Sequence, residues 1–287
     1  MARARGLKRA AAAIACAAAG LAGAADGARW YLQHDNDFFF DTDRWYSSGA
    51  RIARVDGPWE LALTQEIFSP DAKHFALVDR APAARVLASG AYHWRDDASW
   101  QTVEVALGER GPDALGRQTT EFFHHIFRAA HVDWSQQLTA RFDAQAAFVR
   151  TDTLIGGLKL HYGALAGNEM AFAHAGIELR CGAAPSMASQ LLRYAATPPW
   201  PIAAAHGLST YAGASVRLVA RNELLARAYI PDSPAPTLRH AVGRLLAGLT
   251  WSGRRATIDV SLVHETREFA EQRHAQHFGS IALHVPF

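Results

Sequence analysis

The chain has 287 residues, 49% of them hydrophobic and 20% charged, with a formal net charge of +2. Four of its 29 Lys and Arg (Arg3, Arg5, Lys8 and Arg9) sit at the very start, leaving 25 against 27 acidic residues, a charge near −2. No basic stripe remains, so nothing in the charge suggests a nucleic-acid partner.

Met1 to Ala25 reads as a secretory leader. The four basic residues form its n-region, Ala10 to Ala22 its apolar stretch, and Ala22-Gly23-Ala24 a small-residue cleavage site. The apolar stretch is too short for a spanning helix, which needs about 20 residues. Cys16 lacks the leucine context of a lipoprotein site, since Ala13-Ile14-Ala15 precedes it. The expected mature domain is 26–287. Cys181 is its single cysteine, so no intramolecular disulfide helps it. An exported chain of that size then relies on a large core or on closure of a sheet.

No later stretch has the 18 or more consecutive apolar residues of a membrane helix. Period-two alternation recurs instead. Val103, Val105 and Leu107 alternate with Thr102, Glu104 and Ala106. Leu138, Ala140, Phe142, Ala144, Ala146 and Phe148 alternate with Thr139, Arg141, Asp143 and Gln145. Ala212, Ala214, Val216, Leu218 and Ala220 form a third such row, and Ile258, Val260 and Leu262 a fourth. Such segments have one apolar and one polar face, as strands crossing an outer membrane require. Their apolar faces are rich in Ala, which a lipid-facing surface tolerates better than an interdigitated sandwich core. Ile281, Leu283, Val285 and Phe287 alternate to a terminal aromatic, resembling an outer-membrane assembly signal read by the barrel-assembly machinery.

The pattern predicts strands at 28–36, 47–55, 59–68, 85–94, 101–108, 136–148, 152–164, 171–181, 210–220, 241–251, 255–264 and 279–287. Twelve is an even number, as a closed barrel with both termini at the periplasm needs. The expected fold is all-β: a 12-stranded antiparallel transmembrane barrel, monomeric, with a short helix-bearing infolded loop. Gln118 to Arg128 supplies that helix, and Pro198-Pro199-Trp200-Pro201 a long connection with Trp200 as interface anchor.

His34 to Gly49 concentrates chemistry. It holds Asp35, Asn36, Asp37, Asp41, Asp43, Ser47 and Ser48 beside the apolar run Phe38 to Phe40. Oxygen donors of this kind suit a hard cation such as Ca2+. The same residues also make an ordinary Asx-rich turn. The later segment Glu121-Phe122-Phe123-His124-His125-Ile126 offers an imidazole whose ordinary pKa suits a general base. No Gly-x-Ser-x-Gly elbow is present, so a serine nucleophile of that type is unsupported.

These pieces, in this order, resemble the lipid A 3'-O-deacylase family of outer-membrane β-barrel esterases. Asn36-Asp37, Phe38, Thr42-Asp43-Arg44 and Tyr46-Ser47-Ser48-Gly49 match its N-terminal signature, with Ser47 where the family usually has Thr. Gly111-Pro112-Asp113-Ala114, the histidine and Trp134-Ser135-Gln136-Gln137 follow in family order, as do Gln65-Glu66-Ile67-Phe68-Ser69-Pro70 and Asp79-Arg80. Thr266-Arg267-Glu268-Phe269 and Phe278-Gly279-Ser280 extend the likeness to the C-terminus. After Arg80 the family's aromatic-rich run is replaced by Ala81-Pro82-Ala83-Ala84, which bears on acyl-chain fit. The resemblance implies a calcium-dependent esterase that removes the 3'-linked acyloxyacyl chain of lipid A (lipopolysaccharide) in the bacterial outer membrane. It implies His124 as general base, with His125 as the alternative, and Asp37 and Asn36 on the metal. Asn36 and Ser47 complete the catalytic site, and Lys73, Arg44 and Arg80 meet the substrate's phosphates. A calcium-dependent phospholipase barrel and a non-catalytic channel or structural barrel are the competing classes.

Overall fold

The computed structural model describes residues 28–40, 42, 44–71, 78–96, 98–127, 132–182 and 206–286. The leader, Asp41, Asp43, Lys73, Arg128, Trp200 with its connection, and Phe287 lie outside the described residues.

Twelve strands form the molecule: β1 Arg29–Asn36, β2 Trp45–Asp56, β3 Trp59–Ser69, β4 Ala83–Arg95, β5 Ser99–Arg110, β6 Arg141–Thr153, β7 Leu158–Gly167, β8 Met170–Gly182, β9 Gly207–Asn222, β10 Ala241–Ser252, β11 Thr257–Glu265 and β12 Gln276–Pro286. Each pairs with its neighbours in sequence, and β1 pairs antiparallel with β12 from Arg29↔Pro286 to Asn36↔Gly279. The sheet is therefore a closed barrel and leaves no free edge. No helix among the described residues is long and apolar enough to cross a membrane, so any crossing is made by strands.

Alternation decides what each face meets. In β11, Ile258, Val260 and Leu262 are 39%, 39% and 50% exposed, while Asp259, Ser261 and Val263 are each 1% exposed. The apolar row faces out and the polar row faces a filled lumen. Arg51 reaches Glu60 and Glu104, Arg85 reaches Glu66 and Asp143, and Arg217 and Arg244 share Glu265. Buried charges persist only when paired in this way. Beside these pairs the lumen holds an apolar cluster that includes Tyr46, Phe68, Phe172 and Phe278, with Arg217 5.6 Å from the Phe172 ring and Arg244 5.9 Å from the Phe278 ring. A packed interior of this kind is not an open pore.

The two ends differ. Turns at 57–58, 96–98, 154–157 and 253–256 mark one, where the β8–β9 connection lies almost wholly outside the described residues, and the connections at 37–44, 70–82, 111–140, 223–240 and 266–275, with the short turn 168–169, mark the other. In bacterial barrels the short turns are periplasmic and the longer loops external. An outward aromatic row of Trp59, Tyr92 and Trp251 lies near the short-turn end, with Trp59 and Tyr92 in ring contact at 4.7 Å.

The observed β6 and β7 are shifted some five residues C-terminal to the expected 136–148 and 152–164. Leu138 shares the parity of the apolar row but precedes the strand. Its N–H donates to the Pro82 carbonyl at 2.9 Å and its side chain joins the lumen cluster. The turn falls at Gly156-Gly157, with φ of 59° and 82°, a conformation that suits glycine in a tight hairpin.

Candidate active site

β1 ends at Asn36 and the chain reverses through a 3-10 turn, Asp37–Phe40. The Phe38 N–H donates to Asn36 Oδ1 at 2.7 Å, and the Arg44 N–H donates to Asp37 Oδ2 at 2.7 Å. The Thr42 hydroxyl donates to the Asp37 carbonyl at 3.0 Å. These bonds hold Asp37 at 2% exposure against the barrel wall. The Asx-turn and cation-site readings of this stretch thus describe the same atoms.

β2 enters the sheet through a β-bulge. Tyr46 pairs with Phe68 and Ser48 with Ile67, so Ser47 is an extra residue opposite no partner. Its hydroxyl donates to the Ile67 carbonyl at 3.3 Å. Tyr46 points into the lumen, crosses the face of Gly49 and donates to Asp35 Oδ2 at 2.9 Å. A Cβ on Gly49 would lie 1.9 Å from the Tyr46 hydroxyl, so only glycine permits this path. The Tyr-Ser-Ser-Gly motif therefore has a geometric meaning. Tyr46 anchors inward, Gly49 makes room, and the intervening serines turn to the outer wall.

The connection between β5 and β6 carries α1, Gly116–Phe127. An infolded loop was expected, whereas α1 lies against the outside of the wall. In β1, Tyr31, Gln33 and Asp35 are buried inward, while Leu32, His34 and Asn36 have the opposite parity. Phe123 stacks on His34 with ring centroids 5.5 Å apart. Gln65, outward on β3, donates to the Ala114 carbonyl at 2.7 Å and accepts from the Thr119 hydroxyl at 3.2 Å. Ile67 and Ala84 pack with Ala114, Val132 and Trp134. Gly116 sits so close to Ala84 and Trp134 that a Cβ would come within 2.3 Å of Ala84. The helix stays outside because the lumen is already filled and the outer wall offers an apolar seat.

Between the turn, the bulge and α1 lies a cavity of about 40 Å³. Asn36, Asp37, Phe38, Thr42, Ser47, Ser48, Ile67, Thr120, Phe123 and His124 line it. That volume admits a few waters or a cation with part of its hydration. Strand residues climb about 2.6 Å each along the axis of a barrel tilted by ~40°. Ile67 therefore stands about 21 Å above Trp59, near the top of an apolar belt about 25 Å tall. The cavity borders the lipid boundary on the external side.

Four of the expected site residues, Asn36, Asp37, Ser47 and His124, meet at this cavity although they come from three separate stretches of chain. His125 faces away and is exposed. Arg44 stands behind the turn, its guanidinium on Asp71 at 3.2 Å and over the Trp45 ring at 4.6 Å. Arg80 is not brought to the cavity. It is 0% exposed, bonded to Glu268 at 3.2 Å and seated over the Phe68 ring at 4.5 Å inside the barrel end. An exposed phosphate cannot reach it. Thr42, Ser48, Ile67 and Phe123 lie in the motifs singled out above but had no site role assigned, and Thr120 was not singled out at all. For Thr120 a signal existed, since it lies one helical turn before His124 on the same face.

The donor set fits a hard cation in kind. Asn36, Asp37, Thr42, Ser47 and Ser48 offer oxygen only, and imidazole enters from the opposite wall. It is thin in charge. Asp37 is the single carboxylate on the lining, and no group of three or more His, Cys, Asp or Glu that could hold a metal occurs among the described residues. A site of one carboxylate and neutral oxygens leaves several of calcium's six to eight positions to water and substrate.

Fold and site together define a class: an outer-membrane β-barrel with a laterally placed polar cavity at its external rim. The chain belongs to the LpxR family, whose model, described as outer membrane protein LpxR, matches residues 9–287. It is accordingly a protein of the bacterial outer membrane. Among solved structures it is similar to LpxR from Salmonella typhimurium, with a TM-score of 0.74 at 17% identity over 90% of this chain and 100% of that one. The translocator domain of the autotransporter NalP from Neisseria meningitidis gives 0.44 at 12% identity, over 99% of this chain and 95% of that chain. No curated protein sequence matches the chain.

Proposed function

We propose that this protein is a calcium-dependent lipid A 3'-O-deacylase. The observation that carries the proposal is the convergence of Asn36, Asp37, Ser47 and His124 on one cavity at the lipid boundary of the outer wall. An ester at the junction of a lipid's headgroup and acyl chains would enter such a cavity sideways from the outer leaflet. A pore-lining site inside the lumen would not receive it.

In this reading Asp37, with oxygens of Asn36 and Ser47, would hold a Ca2+ ion, which would supply polarisation of the ester carbonyl and oxyanion stabilisation of several kcal/mol. The His124 imidazole takes a proton from water as the water oxygen attacks the acyl carbon. It then returns that proton to the sugar oxygen as the ester C–O bond breaks, giving a carboxylic acid and a free 3'-hydroxyl. Thr120, one turn below, is placed to orient the ring, and Phe38, Ile67 and Phe123 form the apolar wall for the acyl chain.

Mass spectrometry of lipid A from cells with and without the gene tests the proposal. Cells carrying His124→Ala or Asp37→Ala should retain the 3'-acyloxyacyl chain, a loss of general-base catalysis amounting to about 10²–10⁴-fold for His124. His125→Ala should deacylate as the parent does, and EDTA should stop the reaction in detergent extracts. Full deacylation by His124→Ala would remove the imidazole from the mechanism, and phospholipid cleavage without lipid A cleavage would move the activity to the phospholipase class.

A further inference from the structure

One side of α1 is unused by the cavity. With 100° per residue, Gly116, Thr119, Thr120, Phe123 and His124 fall on the face toward the barrel wall. The exposed half then divides lengthwise. Phe122 and Ile126, 61% and 53% exposed, lie four residues apart along one flank. Arg117 and Glu121, joined by an ion pair at 2.7 Å, lie along the other. A helix at the surface of a soluble protein would expose polar residues on its whole outer half. This one has a greasy flank and a charged flank, as a helix lying in a membrane interface does.

The apolar flank continues an established lipid-facing surface. Phe122 meets Phe123 edge to face at 5.5 Å, Phe123 stacks on His34, and His34 shares its outward row with Leu32, which is 43% exposed on the belt. The helix seat on Ile67 also stands near the top of that belt. Chain continuity and height therefore agree on what covers the flank.

We infer that α1 is an interfacial helix whose Phe122–Ile126 flank is immersed in the acyl chains of the outer leaflet while its Arg117–Glu121 flank stays in water. The barrel then holds its lateral cavity at a fixed depth, with α1 as a float on one side. This inference rests on the outer-membrane barrel and not on the hydrolytic proposal, so each can fail alone.

Spin labels read it directly. In a Cys16→Ser, Cys181→Ser background, cysteines are introduced singly as Phe122→Cys, Ile126→Cys, Arg117→Cys and Glu121→Cys. Leu262→Cys serves as the belt reference and Ala235→Cys as the water reference. The labelled full chain is folded into phosphatidylcholine vesicles, and collisions with oxygen and with a water-soluble nickel chelate are compared. Labels at 122 and 126 should give an oxygen-to-nickel ratio several-fold above that at 235 and close to that at 262, while 117 and 121 resemble 235. Ratios at 122 and 126 equal to that at 235 would overturn the inference. Protection of both from both reagents would overturn it too, since a protein surface would then cover the flank. If Phe122→Cys does not fold, Ile126→Cys carries the same comparison.

Discussion

Gly49 shows how one missing atom sets the geometry of a site. Its lack of a Cβ lets Tyr46 lie flat across the strand and reach Asp35, itself 1% exposed and bonded on its other oxygen by Gln33 at 2.7 Å. With Tyr46 pulled inward, the chain must take up an extra residue before Ser48 can resume pairing, and that residue is Ser47. Tyr46→Phe deletes one hydrogen bond to a buried carboxylate and should cost about 1.5–3 kcal/mol. Gly49→Ala should cost more, because the whole ring must leave its place and Asp35 keeps its burial. Urea unfolding of the two variants in vesicles checks the order; an unshifted midpoint for Gly49→Ala would show that Tyr46 has a second resting place. The motif residues were legible in the chain, and so was the oxygen-rich character of Asn36 and Asp37. The bulge was not, because alternation read through Tyr46-Ser47-Ser48 is equally regular with either parity. Arg80 was misjudged for a related reason, since a lone basic residue beside a loop carries no sign of whether it turns to the rim or to the lumen.

At the scale of elements, period-two patterning located all twelve strands, and the largest displacement is at β6 and β7, because Leu138 continues the alternation yet packs as a loop residue beneath the external end. The glycine pair at 156–157 was the better turn signal. The helix was legible from its residues, but its position on the outer wall was not, since that depends on the lumen being full of paired charges. The external connections are tied to each other by polar bonds that respond to acid. Burial pushes the Glu271 carboxyl up, but hydrogen bonds from the Thr237 N–H at 2.9 Å and the Thr237 hydroxyl at 2.7 Å outweigh it and hold the group below its ordinary 4.5. A carboxyl with a lowered folded value contributes stability above its unfolded value and loses it as pH falls through the folded one. The tie between 223–240 and 266–275 should therefore hold above pH 4.5 and slacken below it. Hydrogen exchange at the Thr237 amide, corrected for intrinsic rate, should quicken across that range. Glu271→Gln should abolish the step, and an equal step in that variant would assign the effect elsewhere.

The whole molecule turns the usual arrangement inside out, with ion pairs such as Arg85 with Glu66 and Asp143 at the centre and Val260, Leu262 and Leu218 at the surface. Among the described residues the lumen is filled, and the candidate site lies on the outer wall instead. The depth of the cavity then matters more than its shape, and depth follows from where the apolar belt begins and ends. An arginine on the lipid face costs about 2–4 kcal/mol at the midplane and about 0–1 near the interfaces. Ile258 pairs with Trp251 at the aromatic row, and Leu262 stands four residues higher on the same outward face, about 10 Å up the barrel. Leu262→Arg should therefore destabilise folding into phosphatidylcholine vesicles several-fold more, in free energy, than Ile258→Arg. The measured pair of values calibrates the belt against the strand ladder. Equal costs would mean that the belt is displaced along the axis, and the cavity at Asn36, Ser48 and Ile67 would then stand in bulk water, out of reach of an ester held at the leaflet boundary.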